Sequence, residues 1–221
     1  MPVFRKIFAP LLPKDKKARI LDLGCGYGDL VYFLQSSGYE NVVGIDRDRV
    51  QLGVGQELGV KNMHCIGADE FLHEHREEFD AIAAIDVLEH IPKSQVLDFL
   101  ARIHDSLRCG GRLICQVPNL AAFYAPLYFM DFTHESPFTG TSLKQVMEVA
   151  EFENIRILPV GPIVHGFRSA IRKILWKGIS SGLRFMQATE GGPRGALAEI
   201  FTATICGVGD KTKLRSGQKQ P

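Results

Sequence analysis

Three closely spaced glycines, a series of aspartates and two histidines are the side chains whose type and spacing could do chemistry. Gly24, Gly26 and Gly28 fall within five positions in "LDLGCGYGDL", directly after an apolar run carrying Ile20, Leu21 and Leu23. Glycines placed this way after a strand let the backbone pass close to a ligand. A dinucleotide fingerprint needs a further glycine opening the helix whose N-terminus holds a pyrophosphate. Asp29 stands at that position. Its carboxylate complements the helix dipole and repels phosphate. The implied ligand therefore lacks phosphate and could be cationic. S-adenosylmethionine meets both conditions, with an adenosine, a sulfonium and an amino acid. A nicotinamide dinucleotide is disfavoured on the same ground.

Two carboxylates support that ligand. Asp46 ends the run "VVGID" about twenty residues after the glycines, where a carboxylate accepts hydrogen bonds from both ribose hydroxyls. Asp69, in "IGADEF", follows the next apolar run, where it could accept the adenine amino group. An aspartate there also suits a helix N-cap, and the two roles are compatible.

The elements that must position these residues alternate. Strand-like runs occupy 19–23, 42–46, 62–67, 79–85 and 111–117, with helical stretches at 28–37, 48–58, 69–76 and 94–107 between them. Near-continuous apolar strands separated by helices imply a parallel sheet covered on both faces, an α/β doubly wound fold. Gly110 and Gly111 are read as a helix C-cap and turn. After Asn119 the pattern changes. A capped helix starts at Thr141 or Ser142, strands follow at 154–160 and 200–209, and a basic and apolar stretch fills 163–188. These bounds give one domain over 1–209, a helical elaboration over 163–199 between the last two strands, and a disordered polar tail over 210–221.

Composition narrows the class. The chain has 221 residues, 45% hydrophobic, and a net charge of +1, which gives no whole-chain signal for nucleic acid. The five cysteines, Cys25, Cys65, Cys109, Cys115 and Cys206, form no C-x-x-C pair. They imply reduced thiols in a cytoplasmic protein and argue against zinc held by cysteine. The N-terminal apolar run is broken by Pro10 and Pro13 and reads as a docking helix or arm, not a signal peptide. No segment offers the roughly eighteen uninterrupted apolar residues of a membrane span.

"LDLGCGYGDL", "VVGIDRD", "IGADEF", "FDAIAAIDVLEHIP" and "LRCGGRLICQVPN" resemble the successive motifs of class I S-adenosylmethionine-dependent methyltransferases. The closest resemblance is to the branch holding ubiquinone-biosynthesis O-methyltransferases and bacterial glycan methyltransferases. It covers residues 19–119 well, extends to "DFTHESPFTGTSLKQVMEVAEF", and is loose over 163–199. It implies a seven-stranded, mostly parallel sheet with the last strand antiparallel beside the sixth. It also implies that Asp22 and the backbone of Gly24, Cys25 and Gly26 hold the methionine part, with Gly28 in the same loop. Asp46 would hold the ribose, Asp69 the adenine, and Asp86 would face the methionine side.

Methyl transfer from a sulfonium is an in-line displacement with a neutral leaving group, so alignment supplies much of the acceleration. A hydroxyl acceptor also benefits from a base near neutrality, usually histidine. Of the seven histidines, His90 lies just after the fourth strand and His134 in the segment expected to fold over the acceptor. His134 is the expected base, with His90 supporting it; the alternative is that His134 pins this segment by a hydrogen bond. Asp86, Glu89 and His90 form a D-x-x-E-H pattern similar to the branch's E-x-x-E-H, where a metal acts in some members. Such a set could bind Mg or Zn, but charge complementing a helix dipole explains it as well, and no metal is assigned. "FYAPLYFM" (123–130) is either an acceptor lid or core aromatics.

The expected acceptor is a hydroxyl on a small-molecule or lipid-linked saccharide. Alternatives are a small molecule of quinone or secondary metabolism, or a catalytically silent cofactor-binding partner protein. Residues 167–186 are expected to form an amphipathic helix, with Phe167, Ile171, Ile174, Leu175, Ile179, Leu183 and Met186 on one side and Lys173, Lys177 and Arg184 opposite. This helix could meet the inner membrane surface peripherally, or dock on the sheet with its basic face in water.

Overall fold

A computed structural model describes residues 2–123, 126–192 and 200–212. Among these residues the strands are β1 (Arg19–Leu23), β2 (Asn41–Asp46), β3 (Met63–Cys65), β4 (Phe79–Ile85), β5 (Leu107–Pro118), β6 (Glu153–Val160) and β7 (Thr204–Asp210). They form one sheet in the order β3-β2-β1-β4-β5-β7-β6. The first five pair in parallel, and β7 is antiparallel to both neighbours, inserted between β5 and β6. The helices are α1 (Asp29–Ser36), α2 (Arg49–Glu57), α3 (Ala68–Glu74), α4 (Val96–Ser106), α5 (Pro126–Phe129), α6 (Gly140–Val149) and α7 (Phe167–Gly191). The α/β doubly wound architecture expected from the sequence is the one observed. Strand order reverses between β1 and β4, so the carboxyl ends of these strands flank the crevice where such sheets bind ligands.

Period-two alternation builds two cores. Ile20, Ala81, Ala83 and Ile114 face α1, α2 and the N-terminal segment. Leu21, Leu23, Ile82, Ala84, Leu113 and Cys115 face α3, α4 and α6. Helix α4 shows how sequence fixes this packing: Val96, Phe99, Leu100 and Ile103 recur at three- and four-residue spacing, and all are buried. Fully burying each such side chain contributes roughly 1.5–3 kcal/mol.

Several boundaries differ from expectation for local reasons. Helix α4 ends at Ser106 with Leu107 at its C-cap, so Gly110 is not a helix cap. Gly110, at φ +85°, lies inside β5 where the register with β4 shifts, and its N–H donates to the Lys211 carbonyl. Helix α6 is capped by Thr139, whose side chain accepts from the Ser142 N–H while Ser142 Oγ accepts from the Thr139 N–H; Thr141 and Ser142 both lie inside the helix. Residues 200–203 are not strand. Asn119 holds them instead, Nδ2 donating to the Ile200 and Thr202 carbonyls. Order continues past 209. Asp210 pairs with Arg112, and Lys211 is wholly buried, with Nζ donating to the Leu107 carbonyl at 2.7 Å. The rest of the expected tail, 213–221, lies outside the described residues.

The N-terminal arm docks. Phe4–Phe8 winds as a π-turn and Ala9–Leu11 as a 3₁₀ turn, with Pro10 at the start of the latter, where its missing N–H costs nothing. Phe8 is buried and Phe4 packs 5.6 Å from the Phe33 ring of α1. Helix α7 lies between β6 and β7, where the elaboration was expected, but Ser169 and Ser180 are its only buried residues. No helix of the described chain is long and apolar enough to cross a membrane.

Candidate functional site

The β1–α1 loop shapes the crevice. Gly24, Gly26 and Gly28 all have positive φ, and Gly28 in the left-handed region is the N-cap of α1, followed by Asp29 in the first turn. The close approaches these glycines allow are partly to protein. A Cβ on Gly24 would sit 2.6 Å from Val87, and one on Gly28 2.4 Å from the Met63 sulfur. The N–H groups of Gly24 and Cys25 both donate to the Ile45 carbonyl at 2.9 Å, which ties the loop to the end of β2.

Asp46 completes the loop. One carboxylate oxygen accepts from the Gly26 N–H and the other from the Asp48 N–H, both at 2.8 Å. Each oxygen keeps acceptor capacity for a sugar hydroxyl. A cleft of about 520 Å³ runs along this edge, lined by Gly24, Asp46, Asp69, Asp86, His90 and Thr133. A second cavity of about 450 Å³ holds Asp22, Cys25, Asp29 and Asp86, walled by Phe4 and Phe8 of the N-terminal arm. Asp86 borders both, so the two spaces meet at the carboxyl end of β4.

The carboxylates differ in environment. Asp22 is buried, and burial together with repulsion from Asp46 pushes its pKa up to about 7, against a hydrogen bond from the Val31 backbone. Burial also raises Asp86, countered by hydrogen bonds from Gln116 Nε2 at 3.1 and 3.2 Å and by nearby His90 and His134. Asp69 is 64% exposed at the cleft rim and ion-paired with Arg102 at 2.5 Å. It is not the helix cap, since Gly67 occupies the N-cap of α3. The Cys25 thiol is pushed up by burial and by Asp22, so it is no nucleophile at neutral pH.

The two histidines come together. Their ring centroids are 4.8 Å apart. His134 Nδ1 lies 2.7 Å from the Tyr128 carbonyl, which can only accept, so Nδ1 carries the proton and Nε2 holds a free lone pair. Thr133 Oγ1 donates to Asp131 and lies 2.9 Å from His90 Nδ1, which fixes the same tautomer in His90. A pin through Nδ1 leaves Nε2 available, so the pin and the base, alternatives in the sequence, are compatible in one ring. The segment itself is fastened down: the N–H groups of Glu135 and Ser136 donate to the Glu89 carbonyl, and Ser136 Oγ donates to the Ile91 carbonyl.

Glu89 departs from the dipole explanation. Leu88–His90 is a three-residue 3₁₀ turn, too short for a useful macrodipole, and the Glu89 side chain is wholly buried. Among the described residues neither carboxylate oxygen has a hydrogen-bond partner, and burial pushes the pKa up to about 8. Ligand atoms of Glu89, His90 and His134 all lie within 4.8 Å of one another. This donor set fits a divalent cation, and Asp86, engaged with Gln116, is replaced in it by His134. Phe123, Phe129 and Met130 are exposed, so they are not core; residues 124 and 125 lie outside the described chain. The sequence reading missed Gln116, the Asp131–Thr133 bracket and the wall formed by Phe4 and Phe8. The D-x-T spacing, typical of an Asx turn, was the available signal for the bracket.

Comparisons agree with this geometry. A family described as a methyltransferase domain matches residues 3–157. A ubiquinone biosynthesis O-methyltransferase of Aromatoleum aromaticum is 39% identical over 106 residues, covering 46% of this chain and 44% of that protein. A tRNA U34 carboxymethyltransferase of Pseudomonas aeruginosa is 33% identical over 105 residues, covering 44% and 31%. The chain thus spans less than half the length of these relatives. A solved SAM-dependent methyltransferase from Archaeoglobus fulgidus superposes with a TM-score of 0.68 at 18% identity, over 94% of this chain and 91% of that one, a likeness of fold.

Proposed function

Since this chain belongs to the methyltransferase-domain family, we propose that it transfers the methyl group of S-adenosylmethionine to a hydroxyl, with His134 as the base. The observation that carries the reading is the free Nε2 of His134, oriented through Nδ1 and held beside a cleft lined by Asp46, Asp69 and Asp86. Adenosine occupies the cleft, with its ribose on Asp46 and its amino group on Asp69. The methionine part runs over the backbone of Gly24, Cys25 and Gly26 toward Asp22 and Asp86. The acceptor oxygen forms its bond to the methyl carbon as the carbon–sulfur bond breaks. The bonding pair stays on sulfur, S-adenosylhomocysteine leaves, and the hydroxyl proton passes to His134 Nε2.

The relatives reported above do not support the saccharide expected from the sequence. The ubiquinone-biosynthesis O-methyltransferases among them favour the other acceptor weighed, a small-molecule hydroxyl of quinone metabolism. A net charge of +1 supports a small molecule over a nucleic acid.

The unpartnered Glu89 favours a second reading of the same site. A divalent cation there would be held by Glu89, His90 and His134, and would acidify an acceptor hydroxyl as a Lewis acid. One experiment separates the readings. His134→Ala should lower turnover about 10²–10⁴-fold with cofactor affinity nearly unchanged. Near-normal turnover in that variant would remove His134 as base. Activity abolished by EDTA and restored by Mg would make the trio metal ligands.

A further inference from the structure

Helix α7 is turned inside out. Phe167, Ile174, Leu175, Phe185 and Met186 are between 61% and 82% exposed, while the helix buries only Ser169 and Ser180. The expectation that α7 docks on the sheet through its apolar face needs correction, because that face is not covered by the described chain. The apolar face is in solvent, and the basic face borders a cleft, with Lys173 and Lys177 exposed and Arg184 half-buried.

The basic face borders a cleft of about 730 Å³, together with Lys6, the end of β6 and residues 200–202. Lys6, Lys173, Lys177 and Arg184 line it, together with Trp176 and Ser180, and among the described residues no acidic one does. Among the described residues none of these four cations has an ion-pair partner; Lys6 donates to the Val164 carbonyl. Four like charges around one concavity destabilise the empty fold and create a positive potential focused by low-dielectric walls. Such a cleft selects an anion with several acceptor oxygens, which an Arg and a group of Lys side chains match as they do phosphate.

The outward face limits what carries that phosphate. Its apolar side chains recur from Phe167 to Met186 on a helix of 25 residues, about 37 Å long. Gly178 and Gly182 have open space where a Cβ would sit, so neither is required by packing within the chain. Free phosphate would satisfy the cleft and leave the apolar face in water. A second copy pairing through the apolar faces would cover them and leave the cations unmatched. An anionic phospholipid satisfies both. We propose that α7 lies at a bilayer surface with its apolar face among the acyl chains and a lipid phosphate in the cleft behind it. The site is separate from the methyl-transfer cleft, and its test does not depend on that chemistry.

Trp176 is the only tryptophan of the chain and lines the cleft, so binding reports on itself. The whole protein is titrated with phosphatidylcholine vesicles, with phosphatidylcholine–phosphatidylglycerol vesicles, and with inorganic phosphate. Emission and co-sedimentation are read together. Vesicles containing phosphatidylglycerol should shift the emission to the blue and sediment the protein; phosphatidylcholine alone should bind at least about tenfold more weakly. A Lys173→Glu, Lys177→Glu, Arg184→Glu variant should lose about tenfold or more in vesicle binding with a thermal midpoint no lower than that of the wild type. Ile174→Glu with Leu175→Glu should also lose vesicle binding, again with the fold intact. No sedimentation with phosphatidylglycerol, equal sedimentation of the charge-reversed variant, or a full emission response to inorganic phosphate alone overturns the proposal. So does a stable dimer in light scattering that Ile174→Glu dissociates.

Discussion

Helices α1 and α7 both carry apolar residues at helical spacing and use them in opposite ways. α1 is eight residues long and buries Leu30, Val31, Phe33 and Leu34 against β1 and the N-terminal arm. α7 is about three times as long and buries two serines. The short helix is held by its apolar stripe, so its N-terminus, with Gly28 and Asp29, is a fixed wall of the proposed cofactor site. The long helix contributes its apolar residues to solvent and its charges to a cleft, and its value to the molecule is its surface. Amphipathic periodicity is common to both. Which face turns inward is decided by what the sheet leaves uncovered, and that is not a local property.

The contrast can be broken most severely by truncating one apolar residue in each helix. Leu34→Ala in α1 should cost about 2–5 kcal/mol, because the side chain is fully buried. Ile174→Ala in α7 should stay within about 0.5 kcal/mol, because the side chain is exposed. Urea denaturation of both variants decides it. Comparable losses would mean that α7 is packed against something in the isolated chain.

Glycines sharpen the same comparison with a smaller effect. Gly28→Ala places a Cβ 2.4 Å from the Met63 sulfur on a residue at φ +82°, and should cost about 1–3 kcal/mol. Gly182→Ala in α7 meets open space at helical φ, and should stabilise by roughly 0.5–1 kcal/mol. Thermal melts read both signs. A destabilised Gly182→Ala would show that a close partner of α7 had been overlooked.

The third effect is a dependence on pH confined to the α1 side. The pKa of Asp22 is raised from its ordinary 3.8 to about 7 by burial and by Asp46. An acid whose folded value lies above its unfolded value binds more protons when folded, so this group's contribution to apo stability falls as pH rises from about 4 to about 7 and is level above that. A cationic ligand favours the ionised form, so S-adenosylmethionine affinity should rise by about tenfold between pH 6 and pH 8. Asp22→Asn should flatten both profiles. Unchanged slopes in that variant would assign the titration elsewhere.

Much of this architecture is legible in the sequence because its signals are local. The apolar runs at 19–23 and 79–85 are strands to the residue, since buried parallel strands have no polar face to blur their ends. The glycine loop and the aspartate ending β2 follow from spacing, and both line the site. What the sequence hides depends on contacts made at a distance. Gly110 reads as a helix cap because Gly follows helices, yet it bends β5 to meet Lys211. Glu89 reads equally as a charge complementing a helix dipole or as a metal ligand, and only the fold shows it buried beneath the segment carrying His134. The basic residues of α7 read as solvated, and Lys173 and Lys177 are exposed; that they flank one cleft with Lys6 follows only from the fold, since helical periodicity says that two faces differ but not what each one meets.

Calorimetric titration of the purified chain with S-adenosylmethionine and with NAD, alongside Asp46→Ala, tests the proposed methyl-donor site most directly. Asp46 joins the glycine loop to the expected ribose position, and removing a charged acceptor costs roughly 1.5–3 kcal/mol. The expected result is S-adenosylmethionine binding that weakens about ten- to a hundredfold in Asp46→Ala, with no NAD binding in either protein. Tight NAD binding with no response to S-adenosylmethionine would contradict it.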